Sequence, residues 1–320
     1  MISSDDTRDD TPSPAAKSAK KADWTPVTAA WSCVIDDTPE IWASFGPWLS
    51  SLIINAHVRP DRIFVHHVCD LPRDLSDLLE HLGVSTHKVP CFDSRFPHTN
   101  KIRQCATEFP DVDKVIITDV DLAFSEPLPI AMVKSELAGK LVDRPNPPLA
   151  ILSDIYSATN VPQPGSVKRS FTDSNGARVE FQTLSNNFNG GLYVVDRALL
   201  SELGREWSDW ARWLICRREL LADWAVHLDQ VAFGIATASL GLLHETLPDS
   251  WNQPTHNRTS WRGDQPYALH HHAKFDSGVR LSSENVPWAQ AAIDRVNAAV
   301  ERFYGLHPVL GCPERKHNEE

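Results

Sequence analysis

The chain has 320 residues, 42% hydrophobic and 23% charged, the proportions of a soluble globular protein with room for one large α/β domain or two smaller ones. Its formal net charge of −11 excludes sequence-independent binding to nucleic acid, which relies on lysine and arginine neutralising phosphates. A small phosphate-bearing ligand stays open, since it needs only a local positive site or a metal. The six cysteines (Cys33, Cys69, Cys91, Cys105, Cys216, Cys312) show no CxxC spacing. They read as reduced thiols in a cytoplasmic protein rather than as a zinc site.

Residues 1–26 are polar, charged and proline-containing, without the apolar centre of a signal peptide, and are expected to form a disordered tail. No segment reaches the apolar length of a membrane span. The short apolar run Trp31–Ile35, stopped by Asp36, Asp37 and Pro39, predicts a first buried strand. Ile41, Phe45, Trp48, Leu49 and Leu52 then recur at helical spacing, with Gly46-Pro47 as an expected interruption. A second strand is predicted at 62–68, a helix at 75–82 stopped by Gly83, and a third strand at 85–89. A helix over 100–108 and a strand over 114–118 follow.

This alternation predicts βαβ units and a mostly parallel sheet flanked by helices. In such sheets ligands sit beyond the carboxyl ends of the strands, where Asp36, Asp37, Asp119 and Asp121 all fall. Residues 143–182 are rich in Pro, Ser, Asn and Gly and read as a long irregular segment of the kind that shapes a pocket. The strand 191–195 leads to Asp196, a predicted N-cap for a helix whose Trp207, Trp210, Trp213 and Leu214 suit core packing. Asn285-Val-Pro-Trp opens a last helix, with Ile293, Val296, Val300 and Phe303 on one face and Gly305 as its C-cap. Residues 27–312 are thus expected to form one domain, and 313–320 to fray.

Four stretches can carry chemistry. In KVIITDVDLAF (114–124), Asp119 and Asp121 flank Val120 and face one side of an extended segment. Two carboxylates at a strand end can grip Mn²⁺ or Mg²⁺ together with a diphosphate, or can be a solvated strand end. In NNFNGGLYVV (186–195), Gly190 and Gly191 allow close backbone approach, and Asn187 and Asn189 offer amides; a plain polar turn reads the same. Asp229-Gln230 can bond sugar hydroxyls or orient a reacting group, or Asp229 can cap a helix. In LHHHAK (269–274), His270 and His272 would share one side of a strand and hold a metal, while Lys274 can pair with phosphate. Asn100, Lys101 and Arg103 add positive charge ahead of the Asp-Val-Asp strand, for a phosphate or merely as surface residues.

Taken in this order, Asp119-Val-Asp121, Asn189-Gly-Gly191, Asp229-Gln230 and the late His/Lys cluster resemble the nucleotide-diphospho-sugar transferases of the GT-A fold, and within them glycosyltransferase family 8 and its relatives. The resemblance spans roughly residues 31–280, motif by motif. It implies a Rossmann-like GT-A sheet and a nucleotide, UDP in many relatives, against Ile35, Asp36 and Asp37. It also implies a Mn²⁺ or Mg²⁺ ion on Asp119 and Asp121, completed by His270 or, second, His272. Asn189, Asp229 and Gln230 would line the donor sugar and reaction centre, and Lys274 would meet the diphosphate. The sugar would pass to an acceptor hydroxyl with retention, the acceptor side lying at 143–182; carbohydrate, protein, lipid and small-metabolite acceptors stay open. The late motif departs from the family's, because Ala273-Lys274-Phe275 stands where a glycine spacer and Lys-Pro-Trp are usual. Two other readings fit the residues: a haloacid-dehalogenase-like phosphatase, whose nucleophile strand also ends in DxD but is the first strand of its chain whereas several precede it here, and a sugar-nucleotide-binding module without turnover.

Overall fold

The computed structural model describes residues 27–173, 175–255, 265–275, 279–282 and 287–308. The tails predicted at 1–26 and 313–320 and the helix start at Asn285 lie outside these residues. The strands are β1 (Ala29–Ile35), β2 (Ile63–His67), β3 (Ser85–Lys88), β4 (Lys114–Thr118), β5 (Leu122–Phe124), β6 (Leu137–Leu141), β7 (Ser166–Thr172), β8 (Arg178–Leu184), β9 (Phe188–Asp196), β10 (His244–Thr246), β11 (Gln253–Pro254) and β12 (Ala268–His270). The helices are α1 (Pro39–Ile54), α2 (Arg73–Leu82), α3 (Leu149–Thr159), α4 (Leu200–Ile215), α5 (Leu228–Ser239) and α6 (Gln290–Leu306).

Seven strands form the central sheet in the order β10-β6-β9-β4-β1-β2-β3. β4, β1, β2 and β3 run parallel to their neighbours in that series, as β10 does to β6, while β9 is antiparallel to both β4 and β6. Both faces of the sheet are covered. Val115 and Ile117 of β4 face one apolar cluster, with Trp207 and Phe233 from α4 and α5; Ile116 faces the other, with Trp48, Leu49 and Leu52 from α1. A strand buried on both faces needs no polar side, so its sequence is a continuous apolar run. That is why β1, β2 and β4 stand out within one or two residues of their observed ends, while the strand predicted at 191–195 starts three residues inside β9, and β6 and β10 are not predicted.

The helix α1 passes through Gly46-Pro47 without interruption, because residues 44–52 are all buried and packing outweighs the single lost N–H. Gly46 has a separate use: Tyr304 of α6 fills the space a Cβ would take there. Residues 97–106 wind as a 3₁₀ helix rather than an α-helix over 100–108. In that winding, positions i and i+3 eclipse, which sends both Lys101 and Gln104 to the end of β4: Gln104 Nε2 donates to Thr118 O at 3.4 Å.

The segment 143–182, expected to be irregular, holds α3 and the antiparallel hairpin β7–β8. Its Pro147, Pro148, Pro162, Pro164 and Gly176 sit at element borders and in the turn, leaving Leu152, Ile155 and Tyr156 to bury one face of α3 and Phe171 to meet Phe181 across the hairpin at 5.9 Å. Asp196 makes no side-chain cap; its carboxylate instead pairs with Lys114 Nζ at 2.5 Å. The last helix runs through Gly305 to Leu306.

Buried in the parallel part of the sheet, His66 has Nδ1 3.2 Å from both Ser32 Oγ and Cys33 O, and Nε2 2.7 Å from Thr107 Oγ1. Burial first, and the neighbouring His87 second, hold its pKa down at about 3. The unfolded chain takes up a proton near pH 6.5 that the folded chain refuses until about pH 3, so stability falls as pH drops through that window. Chemical unfolding at pH 7 and pH 4.5 should show a loss of roughly 2–3 kcal/mol from this residue alone, and the His66→Phe variant should lose correspondingly less.

Candidate active site

The turn from β4 to β5 carries Asp119-Val120-Asp121. Val120 is 2% exposed and points into the core, so its two neighbours face the opposite side together. Because β9 runs antiparallel to β4, it starts where β4 ends, and the Asp119 N–H donates to Gly191 O at 2.9 Å. From the 3₁₀ segment, Lys101 reaches the same place. Its Nζ lies 2.6 Å from Asp119 Oδ1, 2.7 Å from Gly190 O and 3.4 Å from Asp229 Oδ2. Burial pulls the Lys101 ammonium down, but Asp119 and Asp229 outweigh it and leave its pKa above the ordinary lysine value. Asp119 is raised by its burial, against the pull of Lys101. Asp229 is not an N-cap: His227 holds that position of α5, and Asp229 lies in the first turn, where its carbonyl accepts from Trp207 Nε1 at 2.8 Å.

Asp121 has different partners. β12 pairs antiparallel with β5, setting His270 opposite Leu122, and the His271 N–H donates to Asp121 O at 3.0 Å. His270 Nε2 thereby comes 3.2 Å from Asp121 Oδ1, and His272 Nδ1 lies 3.6 Å from Oδ2. The turn that aims His272 passes through two consecutive left-handed residues, His272 at φ 49° and Ala273 at φ 54°, a strained arrangement for side-chain-bearing residues. Burial opposes charge on Asp121, yet His270 beside it, with His271 and His272, holds its pKa far below the usual carboxylate range. His271 faces away against Phe275, and burial keeps it neutral with a pKa of about 4.

Donor atoms of Asp121, His270 and His272 all lie within 4.8 Å of one another. One carboxylate and two imidazoles make a donor set that a divalent transition cation accepts. Of the four expected ligands, these three converge; Asp119 is adjacent but has one oxygen engaged by Lys101.

Two cavities open on either side of this ridge, of about 290 Å³ and 300 Å³. Lys101, Asp119 and Asp121 line both. The first also takes in Asp143, Asn189, Gly190, Gly191, Asp229 and Gln230. Gln230 Nε2 donates to Asn146 O and Asn187 Oδ1, both at 2.8 Å, which fixes the direction of its carbonyl oxygen. A Cβ at Gly191 would sit 2.8 Å from both Asn252 Nδ2 and His270 Cε1, so only glycine lets His270 approach.

The second cavity includes Val34, Asp36, Thr38 and Asn100. Asp36 Oδ1 accepts from Thr38 N at 3.0 Å and Thr38 Oγ1 at 2.7 Å. At this strand end the pleat alternates sides. Ile35 faces the core at 1% exposure and leaves Val34 to the cavity, while Asp37 is exposed and lines neither cavity. Lys274 is likewise exposed and outside both, because the tight turn after His270 carries it past the ridge. Sequence reasoning missed Asp143, inside the stretch read as irregular, and Lys140 beneath it. A lysine within the apolar run LAGKLV was the available sign.

The sequence profile of the Rhodobacterales glycosyltransferase domain matches residues 56–241, more than half of the chain. The chain belongs to this glycosyltransferase family. No curated protein matches it in sequence. Among solved structures, the galactosyltransferase LgtC in complex with donor and acceptor sugar analogues is similar at TM-score 0.51 and 12% identity, over 85% of this chain and 95% of that one. Mouse xyloside xylosyltransferase 1 in its apo form is matched at TM-score 0.43 and 14% identity, over 77% and 98% of the two chains. The bifunctional glycosyltransferase WbbM is matched at 0.44 and 12%, over 86% and 51%. The mostly parallel sheet with flanking helices is thus the GT-A fold of glycosyltransferases, and the family match favours sugar transfer over the phosphatase and non-catalytic alternatives.

Lys101→Met leaves Asp119 and Asp229 facing each other in a buried place without their cation. Urea unfolding at pH 7 should register a destabilisation of about 3–5 kcal/mol, and adding Asp119→Asn to the same chain should return part of it.

Proposed function

We propose that this glycosyltransferase is cation-dependent, akin to family 8, and moves a sugar from a UDP-linked donor to an acceptor hydroxyl with retention at the anomeric carbon. The observation that carries the reading is the Asp121–His270–His272 donor set on a ridge shared by two cavities beyond the end of β4. Mn²⁺, or Mg²⁺, would be held by these three side chains with Asp119 beside them. Once bound, the cation supplies positive charge to the departing diphosphate.

The chain's own residues divide the remaining work. Lys101 adds a second, fixed positive charge on the same ridge. Asp36 and Thr38, bonded to each other, offer a polar rim to the nucleoside in the second cavity. Asn189, Asp229 and the fixed Gln230 amide line the first cavity, where the transferred sugar would meet the acceptor. Gly190 and Gly191 line the first cavity and leave room for Lys101 and His270 to close on it. We read residues 27–312 as one catalytic domain, with 143–182 on the acceptor side and Lys274 outside the donor site. The five described cysteines are free thiols, which suits a reducing compartment, and no helix among the described residues is long and apolar enough to cross a membrane.

Release of UDP from a panel of UDP-sugars, followed with Mn²⁺, with EDTA and after Mn²⁺ is restored, tests the reading. EDTA should abolish release and Mn²⁺ should return it, while Asp121→Ala should lower it by at least about a hundredfold. Turnover that survives both EDTA and Asp121→Ala would remove the cation from the mechanism.

A further inference from the structure

Lys140, in β6, is a charged residue with no role in the reading above. Its side chain is 0% exposed, and its Nζ donates to Asp143 Oδ1 at 2.5 Å and to Asn252 O at 2.7 Å. Asn189 Nδ2 donates to Asp143 Oδ2 at 3.3 Å, and Asn189 Oδ1 accepts from Asn252 Nδ2 at 3.0 Å and from the Gly191 N–H at 2.9 Å. Lys140, Asp143, Asn189 and Asn252 therefore close a ring drawn from three separate segments: β6 with the residues just after it, β9, and the stretch ahead of β11. Lys140 and Asn252 form its wholly buried part; Asp143 and Asn189 face the first cavity.

A buried ammonium is expensive, and β6 packs through Leu137, Ala138 and Leu141 without needing one. What the lysine provides is direction. With Asn189 it holds both Asp143 oxygens, Lys140 on Oδ1 and Asn189 on Oδ2. A carboxylate has about four lone-pair positions, so acceptor capacity is left toward the cavity.

We propose that Lys140 is a positioning residue and that the Asp143 carboxylate it fixes accepts a hydrogen bond from a sugar hydroxyl in the first cavity. This rests on the sugar-transfer reading and extends it to hydroxyl selection: a site built to bond one hydroxyl rejects the sugar that lacks it, because its own polar group is then left unpaired. The hydroxyl belongs to the transferred sugar or to the acceptor, and the two are separable by experiment.

Lys140→Met keeps an unbranched side chain one atom shorter and without the charge, and Asp143→Asn keeps the shape. Each should lower kcat/KM for transfer by about tenfold or more. The double variant should regain the thermal midpoint lost by Lys140→Met, since no carboxylate is left without its partner, and should not regain kcat/KM. Calorimetric affinity for UDP with Mn²⁺ should stay within about threefold of the parent in all three. Donor hydrolysis without acceptor falls alongside transfer if the hydroxyl is the donor's, and holds while transfer falls if it is the acceptor's. A double variant that regains rate together with stability makes the ring purely architectural and overturns the proposal, as does an Asp143→Asn variant with unchanged kcat/KM. Parent protein that neither binds UDP with Mn²⁺ nor turns over any sugar nucleotide is instead a failure of the transferase reading, and the inference falls with it.

Discussion

Asp119, Asp121 and Asp229 gather three carboxylates beyond the end of β4, and their mutual repulsion would push the surrounding elements apart were it not answered. Lys101 answers most of it. One ammonium bonds Asp119 from the end of β4, Gly190 from the start of β9 and Asp229 from the first turn of α5, and the 3₁₀ winding of its own segment puts it within reach of all three. Trp207 extends the tie to α4 through the Asp229 carbonyl. The relative placement of a helix start, two strand ends and a loop is thus set by one charge, and each depends on the others being there.

Asp121 escapes this arrangement because it faces β12, which with β5 and β11 forms a separate three-stranded sheet. Its partners come from a strand nearly 150 residues further along the chain, and the contact exists only because β5 and β12 pair in a register that sets His270 opposite Leu122. Two acids one residue apart therefore stand in unlike electrostatic settings: one is saturated by a lysine, and the other is met by imidazoles that a metal can displace from their present contacts. Gly191 is the counterpart of this division, since a methyl group there would collide with His270.

The parallel part of the sheet was legible because strands covered on both faces leave an unbroken apolar trace, and because acids directly after such a trace mark its carboxyl edge. Asp119 and Asp121 line the cavities for that reason, whereas Asp229 and Gln230 arrive on the first turn of α5 and Asn189-Gly190-Gly191 on the first half of β9. Other features had no local signature. Proline-rich borders around α3 and the β7–β8 hairpin made an ordered segment read as irregular. The choice of Val34 over Ile35 is a matter of pleat phase, which an apolar run does not reveal. Lys274 fell outside the site because a two-residue left-handed turn redirects the chain after His270, a conformation that the residue types His and Ala do not announce. Lys140 depends on Asn252, more than a hundred residues further along the chain, as well as on nearby Asp143, and only the odd lysine in an apolar strand hinted at it.

The ridge has a further meaning for anyone who wishes to block the protein. Because Lys101, Asp119 and Asp121 wall both cavities, a compound that fills the two at once has to arch over a charged rib, and a flat, rigid one is shut out. Separate fragments face no such demand. Each can settle in its own hollow without displacing the other, and a bent tether cut to the width of the rib would turn two weak binders into one strong binder through effective concentration alone.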